Sequence, residues 1–191
     1  ILDGAAGFGK TRLLSEALTL ASGFDVKGGF GAVPAADRAV PLGGLIDALF
    51  EGSPPIIERE TLRGLHMAEA ERYWLLQDLE DILERAALES PFLVCVDDLQ
   101  WGTSRCAAAV RALPLPLRSV PIVWLYSCRT GDVPDSMRAA FVELEDAGAE
   151  RLSLGPLRDE AVVEVVADVI GAEPDAALVE IAKRAHGNPF F

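Results

Sequence analysis

The sequence predicts an α/β fold in which a parallel central sheet is covered by helices on both faces, giving three layers. Short apolar runs such as 92–96 and 121–127 alternate with amphipathic stretches, as is typical of buried parallel strands joined by crossover helices. A glycine-rich stretch at 4–11 lies between the first apolar run and the first helix. Two carboxylates, Asp97 and Asp98, directly follow the run 92–96. Because ligands bind at the carboxyl ends of parallel strands, we expect these polar residues to share one edge of the sheet.

The first half of the chain is predicted to supply two of the strands. Ile1 and Leu2 end the first strand, and a helix follows over 11–21. Its inner face is predicted to carry Leu13, Leu14, Ala17, Leu18 and Ala21. The next predicted elements are a strand over 24–33, a loop over 34–41, a helix over 42–50, a break at 52–55, a helical connector over 56–67 and a helix over 68–89. In the last of these, apolar residues recur at three- and four-residue spacing beside an acidic, solvated face.

The second half continues the alternation and ends in helices. A strand over 92–96, a helix over 103–113, a proline-broken loop, a buried strand over 121–127, a helix over 135–147 and a strand over 151–154 are predicted in that order. Everything after Gly155 is predicted to be helical, over 158–170 and 175–186. We therefore divide the chain into a core, 1–155, and the start of a helical lid, 156–191.

Composition excludes several classes of partner. Half of the 191 residues are hydrophobic, and the formal net charge of −13 argues against a nucleic-acid surface, which needs a basic face. No apolar run approaches the roughly 18 residues of a membrane helix, so no membrane contact is expected. Three cysteines without metal-like spacing predict reduced, buried thiols in a cytoplasmic protein. Since both ends fall within apolar runs, we expect a fragment whose partners include other domains of a longer parent chain.

The stretch at 4–11 fits G-x-x-x-x-G-K-[ST], the phosphate-binding loop of nucleoside triphosphatases. Its glycines let backbone N–H groups turn toward the phosphates, and the following helix adds its positive N-terminal end. Lys10 would reach the β- and γ-phosphates, and the Thr11 hydroxyl would be a ligand of Mg²⁺. A chance glycine-rich turn is the alternative. The predicted nucleotide contacts are Gly4, Ala5, Ala6, Gly7, Phe8, Gly9, Lys10, Thr11 and Arg12.

The acidic pair after the strand 92–96 suits a metal site and a catalytic base. Mg²⁺ prefers oxygen ligands, so Asp97 is predicted to bind the metal together with the Thr11 hydroxyl. Asp98 is then placed to orient or deprotonate an attacking water. The alternative for such a pair is a helix cap or a loop charge.

Arg129 follows the strand 121–127 and is the third predicted catalytic residue, beside Lys10 and Asp98. An arginine at this edge can reach the γ-phosphate and report its presence. A surface salt bridge is the alternative. Trp101 is predicted to be a packing anchor close to the acidic pair.

Five segments together resemble the ATPase domain of the signal-transduction ATPases with numerous domains (STAND), a branch of the AAA+ and related P-loop NTPases. They are GAAGFGKTRLL at 4–14, LVCVDDLQW at 93–101, VWLYSCRTGD at 123–132, LSLGPLRDEA at 152–161 and AHGNPFF at 185–191. Within that branch, the chain is most similar to the domain of large LuxR-type transcriptional regulators of bacteria.

The resemblance implies a P-loop NTPase core with a helical lid that switches between a closed ADP-bound form and an open ATP-bound form that self-associates. It implies the roles stated above for Lys10 and Thr11 in the loop, for the pair Asp97 and Asp98, and for Arg129. It also implies that Pro189 faces the nucleotide from the lid. The sequence departs from the family at Thr103, where an acidic residue is common.

The leading hypothesis is therefore a slow, Mg²⁺-dependent ATPase used as a regulatory switch. A module that holds ATP or ADP with little turnover, in which Asp98 is structural, is an alternative. A small-molecule kinase is another, but no lid insertion with clustered arginines is visible between the strands. Adenine is the default base because no guanine-specifying motif is present.

Overall fold

A parallel sheet is the centre of the molecule. The computed structural model describes residues 1–35, 42–52, 54–58 and 72–191, with the backbone alone for 72–75. Within that part of the chain the strands are β1 (Leu2–Gly4), β2 (Lys27–Ala32), β3 (Phe92–Asp97), β4 (Ile122–Arg129) and β5 (Leu152–Leu154). Their order is β2-β3-β4-β1-β5, and every pairing is parallel. The predicted α/β fold with a parallel central sheet is confirmed.

Helices cover the sheet between successive strands. They are α1 (Lys10–Gly23), α2 (Gly43–Phe50), α3 (Arg72–Glu89), α4 (Ser104–Ala112), α5 (Asp135–Asp146), α6 (Asp159–Ile170) and α7 (Ala176–Lys183). Short 3-10 turns lie at Leu99–Trp101 and Pro116–Ser119. Among the described residues, none of the helices combines the length and apolar character needed to cross a bilayer.

Strand β3 shows how the three layers are built, because all of its residues are buried. Leu93 and Cys95 join Leu2 and Leu14 in an apolar cluster beneath α1. The alternate residues of β3 belong to a larger cluster on the opposite face, with side chains of α2 to α5. A strand covered on both sides needs apolar residues at every position, which is why its sequence is a continuous apolar run.

Three sequence predictions are corrected by packing. Leu13 is 40% exposed, because Leu14 beside it occupies the position that points into the cluster under α1. Strand β4 is only partly buried: the cluster under α1 reaches Leu125, and Val123, two residues earlier on the same face, is 55% exposed. The strand also continues through Arg129 instead of ending before it.

The chain after β5 is helical, as predicted, but the last helix is shorter than expected. It ends at Lys183 because the chain turns through His186 and Gly187, whose φ angles are +49° and +72°. The division into a core and a lid at 155/156 remains a prediction. The predicted loop over 34–41 and the connector over 56–67 lie largely outside the described residues, as does the start of the predicted helix 68–89.

Candidate functional site

The candidate site lies at the carboxyl ends of β1, β3 and β4, where the sequence placed it. Gly4 at the end of β1 is in register with Arg129 at the end of β4, and the N–H of Thr130 donates to the Gly4 carbonyl at 3.2 Å. The glycine-rich loop follows β1, and Asp97 ends β3, the strand on the other side of β4. Three segments distant in sequence therefore meet along one edge.

The loop 4–11 turns on two glycines in left-handed conformations. Gly7 has φ +83° and Gly9 has φ +85°, and Gly9 is the residue that precedes α1. A residue with a Cβ is strained at such angles, so the turn requires glycine there. The N–H of Leu13 donates to the Gly9 carbonyl at 3.0 Å, which begins the helix. The loop thus presents a helix N-terminus to the site, an arrangement that favours anions.

Lys10 is buried and its ammonium is held inside the loop. Nζ donates to the carbonyl oxygens of Gly4 and Ala5, each at 2.9 Å. Its side chain is 8% exposed, which is rare for a lysine unless the charge has partners. The loop therefore holds a fixed positive charge at its centre.

Asp97 joins the loop to the neighbouring strands through hydrogen bonds. The Thr11 hydroxyl donates to Oδ2 at 2.6 Å, and the hydroxyl of buried Ser127 donates to Oδ1. The Asp98 N–H donates to Oδ1 at 3.0 Å and also contacts Ser127 Oγ at 3.2 Å. A carboxylate that is only 2% exposed is thereby satisfied on both oxygens.

Asp98 has a left-handed backbone, with φ 60° and ψ 38°, and is half-buried. Gln100 Nε2 donates to its Oδ1 at 2.8 Å, and Gln100 Oε1 accepts from the N–H of Arg129 at 2.9 Å. The amide of Gln100, which is 4% exposed, therefore connects the end of β3 to the end of β4.

The guanidinium of Arg129 lies beside Trp101 and Asp132. Its Nη1 is 3.5 Å from Asp132 Oδ2, and its central carbon is 5.9 Å from the centroid of the Trp101 ring. The side chain remains 38% exposed. The predicted catalytic arginine and its salt-bridge alternative are thus both compatible with its position, since an exposed pair of this kind is held weakly.

The turn after α7 contacts the phosphate loop. Asn188 Nδ2 donates to the Ala6 carbonyl at 3.1 Å, and the N–H of Phe190 donates to Asn188 Oδ1 at 3.0 Å. A Cβ on Gly7 would lie 2.4 Å from Asn188 Oδ1 and 2.8 Å from Phe190 Cβ. The absence of a side chain at position 7 is therefore what lets this turn approach the loop.

A cleft of about 650 Å³ opens between the loop and the end of α7. It is lined by Phe8, Ile181, Arg184, Ala185, His186, Asn188 and Phe191. Pro189, the predicted lid contact, directly follows the lining residue Asn188 in sequence. Pro189 is exposed, and it is not itself a lining residue of the cleft.

Arg12 points away from the loop contacts described above. Its guanidinium is paired with Glu16 on the same helix at 2.6 Å, and its side chain is 80% exposed. Ala5 and Ala6 are exposed as well, whereas Phe8 is half-buried. The role of Arg12 in binding remains a prediction.

The donor set fits Mg²⁺ only if other ligands complete it. The described residues contain no group of three or more histidine, cysteine or acidic side chains that could hold a metal by themselves. Thr11 Oγ1 and Asp97 Oδ2 lie 2.6 Å apart, and both are oxygens of the kind that Mg²⁺ prefers. Such a pair suits a metal whose remaining ligands are phosphate oxygens and water.

Three polar residues of the site were not identified individually from the sequence. Ser127 and Gln100 hold the acidic pair, and Asn188 contacts the loop. All three lie inside segments that carry the family resemblance. Ser127 could have been identified as a site residue because it is a polar residue near the end of an otherwise largely apolar strand.

Solved structures with this architecture include P-loop ATPases. A STAND protein with a tetratricopeptide repeat sensor from Pyrococcus horikoshii aligns over 98% of this chain and 25% of its own, with a TM-score of 0.59 and 16% identity. The chain has the fold of these ATPases. AMPPCP-bound DnaA from Aquifex aeolicus aligns over 98% of this chain and 50% of its own, with a TM-score of 0.53 and 14% identity.

A second DnaA structure, the replication initiator bound to AMPPCP and single-stranded DNA, gives the same coverage, TM-score and identity. The chain thus spans a quarter of the length of the STAND protein and half the length of DnaA. No protein-family model and no curated protein matches the sequence. At these identities the likeness establishes the fold alone.

Proposed function

We propose that this chain binds ATP with Mg²⁺ and hydrolyses it slowly, as the nucleotide switch of a larger cytoplasmic signalling or transcriptional regulator. The observation that carries the proposal is the meeting of Lys10, Thr11 and Asp97 at the carboxyl ends of β1 and β3, two parallel strands on either side of β4. A buried lysine inside a glycine turn, next to a hydroxyl–carboxylate pair, supplies a cation for phosphates and oxygen ligands for a metal.

The loop residues would bind the triphosphate. Lys10 Nζ now donates to two loop carbonyls, and in the complex it would turn from them to phosphate oxygens, exchanging neutral acceptors for charged ones. The N–H groups at the start of α1 would contact the same phosphates. The cleft beside Phe8 is large enough to take the base and ribose of the nucleotide.

Thr11 and Asp97 would hold Mg²⁺, which when bound neutralises charge on the phosphate oxygens. The burial of Asp97 and its bonds from Ser127 and the Asp98 N–H fix the carboxylate in one orientation. A fixed ligand loses little freedom on metal binding, so the protein side of the site is prepared in advance.

Asp98 would orient the water that attacks the γ-phosphate. It lies next to the metal ligand in sequence, and its left-handed backbone directs the chain sharply after β3. Arg129 would move from its weak pair with Asp132 to stabilise charge on the transferred phosphate.

The switch part of the proposal rests on the contact between the lid turn and the phosphate loop. Because Asn188 and Phe190 lie against Gly7 and Asn188 bonds to the Ala6 carbonyl, a change in loop conformation on nucleotide binding would change the position of the turn. The STAND neighbour is a protein with numerous domains and a tetratricopeptide repeat sensor, which supports a similar multidomain setting here. ATP-dependent self-association is proposed from the family resemblance of the sequence alone. A DnaA neighbour is bound to single-stranded DNA, but the net charge of −13 makes a phosphate backbone an unfavourable partner for this chain.

Turnover by Asp98→Asn tests the hydrolytic claim. We expect wild type to release phosphate from ATP in a Mg²⁺-dependent reaction and the variant to lose on the order of 10²–10⁴-fold in kcat while still binding nucleotide. Asp78→Asn, an exposed carboxylate on α3, is the matched control and should behave as wild type. Binding without turnover in wild type would mean that the chain only holds nucleotide, and unchanged turnover in Asp98→Asn would remove Asp98 from the mechanism.

A further inference from the structure

Gln100 is a buried amide with a hydrogen bond at each end, and neither bond belongs to a helix or a strand. Its nitrogen donates to Asp98 Oδ1 at 2.8 Å and its oxygen accepts from the N–H of Arg129 at 2.9 Å. Only 4% of the residue is exposed. A buried amide has to be satisfied by specific partners, so its orientation carries structural information.

The chemistry of the two partners fixes which way the amide faces. The Arg129 N–H is a donor only, so the amide oxygen must face it. The amide nitrogen must then face Asp98, whose ionised carboxylate only accepts. Reversing the amide would place two donors together at one end and two acceptors at the other.

The same bond determines which Asp98 oxygen is available to a ligand. Gln100 occupies Oδ1, and among the described residues no hydrogen bond reaches Oδ2. Asp98 is only half-buried, which leaves part of the residue open to water. A base acts only if its oxygen is held within hydrogen-bond reach of the proton it accepts.

We propose that Gln100 is the positioning residue of the site: it holds the Asp98 carboxylate in its reactive orientation and couples it to the backbone at Arg129. This inference rests on the proposed hydrolytic function and adds to it a residue that touches neither metal nor phosphate. Because Gln100 bonds to both the Arg129 N–H and the Asp98 carboxylate, a displacement of the end of β4 also moves that carboxylate.

Gln100→Glu removes the hydrogen bond to Asp98 and keeps the one from the Arg129 N–H, with little change in side-chain shape. The glutamate keeps an acceptor for the Arg129 N–H but presents an oxygen to Asp98 Oδ1, which turns a hydrogen bond into repulsion. Gln100→Met, similar in length, removes both bonds. Gln77→Glu makes the same chemical change at an exposed position of α3 and is the matched control.

The test measures steady-state ATP hydrolysis together with calorimetric ATP and ADP affinity for each variant. We expect Gln100→Glu and Gln100→Met to lower kcat about ten- to a hundredfold, because the base is no longer held in place. Nucleotide affinity should stay within about twofold of wild type, and Gln77→Glu should match wild type throughout.

A double-mutant cycle supplies the readout that a purely structural role would not move. In an Asp98→Asn background the Asp98 carboxylate is absent, so Gln100→Glu has no base to displace. The substitution should then produce no further loss of kcat. Equal losses in both backgrounds would overturn the inference, as would a parallel loss of turnover and nucleotide affinity or a Gln100→Glu enzyme as fast as wild type.

Failure of the inference is distinguishable from failure of the proposed function. Wild-type protein that binds nucleotide without turning it over would refute hydrolysis, and the role of Gln100 with it. Wild-type turnover that depends on Asp98 but is indifferent to Gln100 would refute this inference alone.

Discussion

At the scale of single residues, the hydrogen bonds to Asp97 are the centre of the site. The carboxylate accepts from Thr11, from Ser127 and from the Asp98 N–H while being almost completely buried. A buried charge is tolerated only when it is satisfied in this way. Each donor therefore contributes to stability and fixes the orientation of the proposed metal ligand, and the two contributions can be separated by mutation.

Thr11→Ala removes a donor to Asp97 and a proposed metal ligand in one change. We expect the Mg²⁺-dependent affinity for ATP to fall about ten- to a hundredfold, the cost of one hydrogen bond to a charged group or more. Thr11→Ser should retain most of the affinity because it keeps the hydroxyl. Thr19→Ala is the control on the same helix, since within the described part of the chain the Thr19 hydroxyl bonds to the Ser15 carbonyl alone. Calorimetry with and without Mg²⁺ measures the effect, and equal affinities for Thr11→Ala and Thr19→Ala would contradict it.

Ser127→Ala tests the structural side of the same network. It leaves Asp97 Oδ1 with the Asp98 N–H as its remaining donor inside the core, so the free energy of unfolding should fall by about 1–3 kcal/mol. Ser15→Ala removes an exposed hydroxyl that bonds to the Thr11 carbonyl and should change it by less than about 0.5 kcal/mol. Urea unfolding compares the two variants. Similar values would show that Ser127 is not needed to satisfy Asp97.

At the scale of elements, the phosphate loop and the turn after α7 are fitted to each other. The approach depends on Gly7, where a Cβ would meet Asn188 and Phe190, and on Gly187, which is buried against Leu157. The N–H of Leu157 donates to the Gly187 carbonyl at 2.8 Å, which ties the turn to the segment between β5 and α6. The glycine-rich loop thus also serves as a packing surface.

Gly7→Ala should destabilise the protein more than Gly131→Ala. Both glycines have left-handed backbones, with φ +83° and +89°, so the conformational strain of about 1–2 kcal/mol is shared. Only at Gly7 does the new methyl group meet another element, and overpacking of this kind adds about 1–3 kcal/mol. Urea unfolding of both variants gives the difference. Adding Asn188→Ala should reduce the cost of Gly7→Ala, and an undiminished cost would argue against the contact.

The elements could be predicted where local pattern decides them. The run 92–96 had to be a strand buried on both faces, and the glycine spacing at 4–11 had to turn before a helix. Among contacts between distant segments, the motifs predicted that Thr11 and Asp97 would lie close together, as they do. Ser127 meets Asp97 across 30 residues and Asn188 meets Ala6 across 182, and neither contact follows from a motif, so these two links became visible only in three dimensions.

At the scale of the whole molecule, the three cysteines are free and buried, as the sequence predicted. Burial raises the pKa of Cys95 from 9.0 to about 12, with the Asp97 charge contributing, and burial raises the pKa of Cys106 to about 11. The pKa of Cys128 is raised by burial as well, and that of Tyr126 in the same way. All of these groups favour the protonated form in the folded state.

Stability should therefore decline in alkaline solution. The thiols lose protons in the unfolded chain near pH 9 but not in the folded one, so their stabilisation is complete below that pH and is lost as the pH rises toward 11 and 12. Each such thiol contributes a slope of about 1.4 kcal/mol per pH unit. Urea unfolding between pH 8 and 10.5 measures this slope, because in that range the unfolded chain releases about one proton per thiol that the folded chain retains. Cys106→Ala should reduce the slope by one thiol's share, and an unaltered slope would contradict the linkage.

The central claim is that the edge formed by β1, β3 and β4 binds Mg²⁺ and ATP through Lys10. Calorimetric titration with ATP and ADP, in Mg²⁺ and in EDTA, tests it on wild type, Lys10→Ala and Lys27→Ala. Lys27 begins β2 and lies at the opposite end of the sheet, so its variant controls for loss of a lysine. We predict that wild type and Lys27→Ala bind ATP more tightly with Mg²⁺, and that folded Lys10→Ala loses at least about tenfold in affinity. Equal binding by all three proteins, or no binding by folded wild type, would contradict the account.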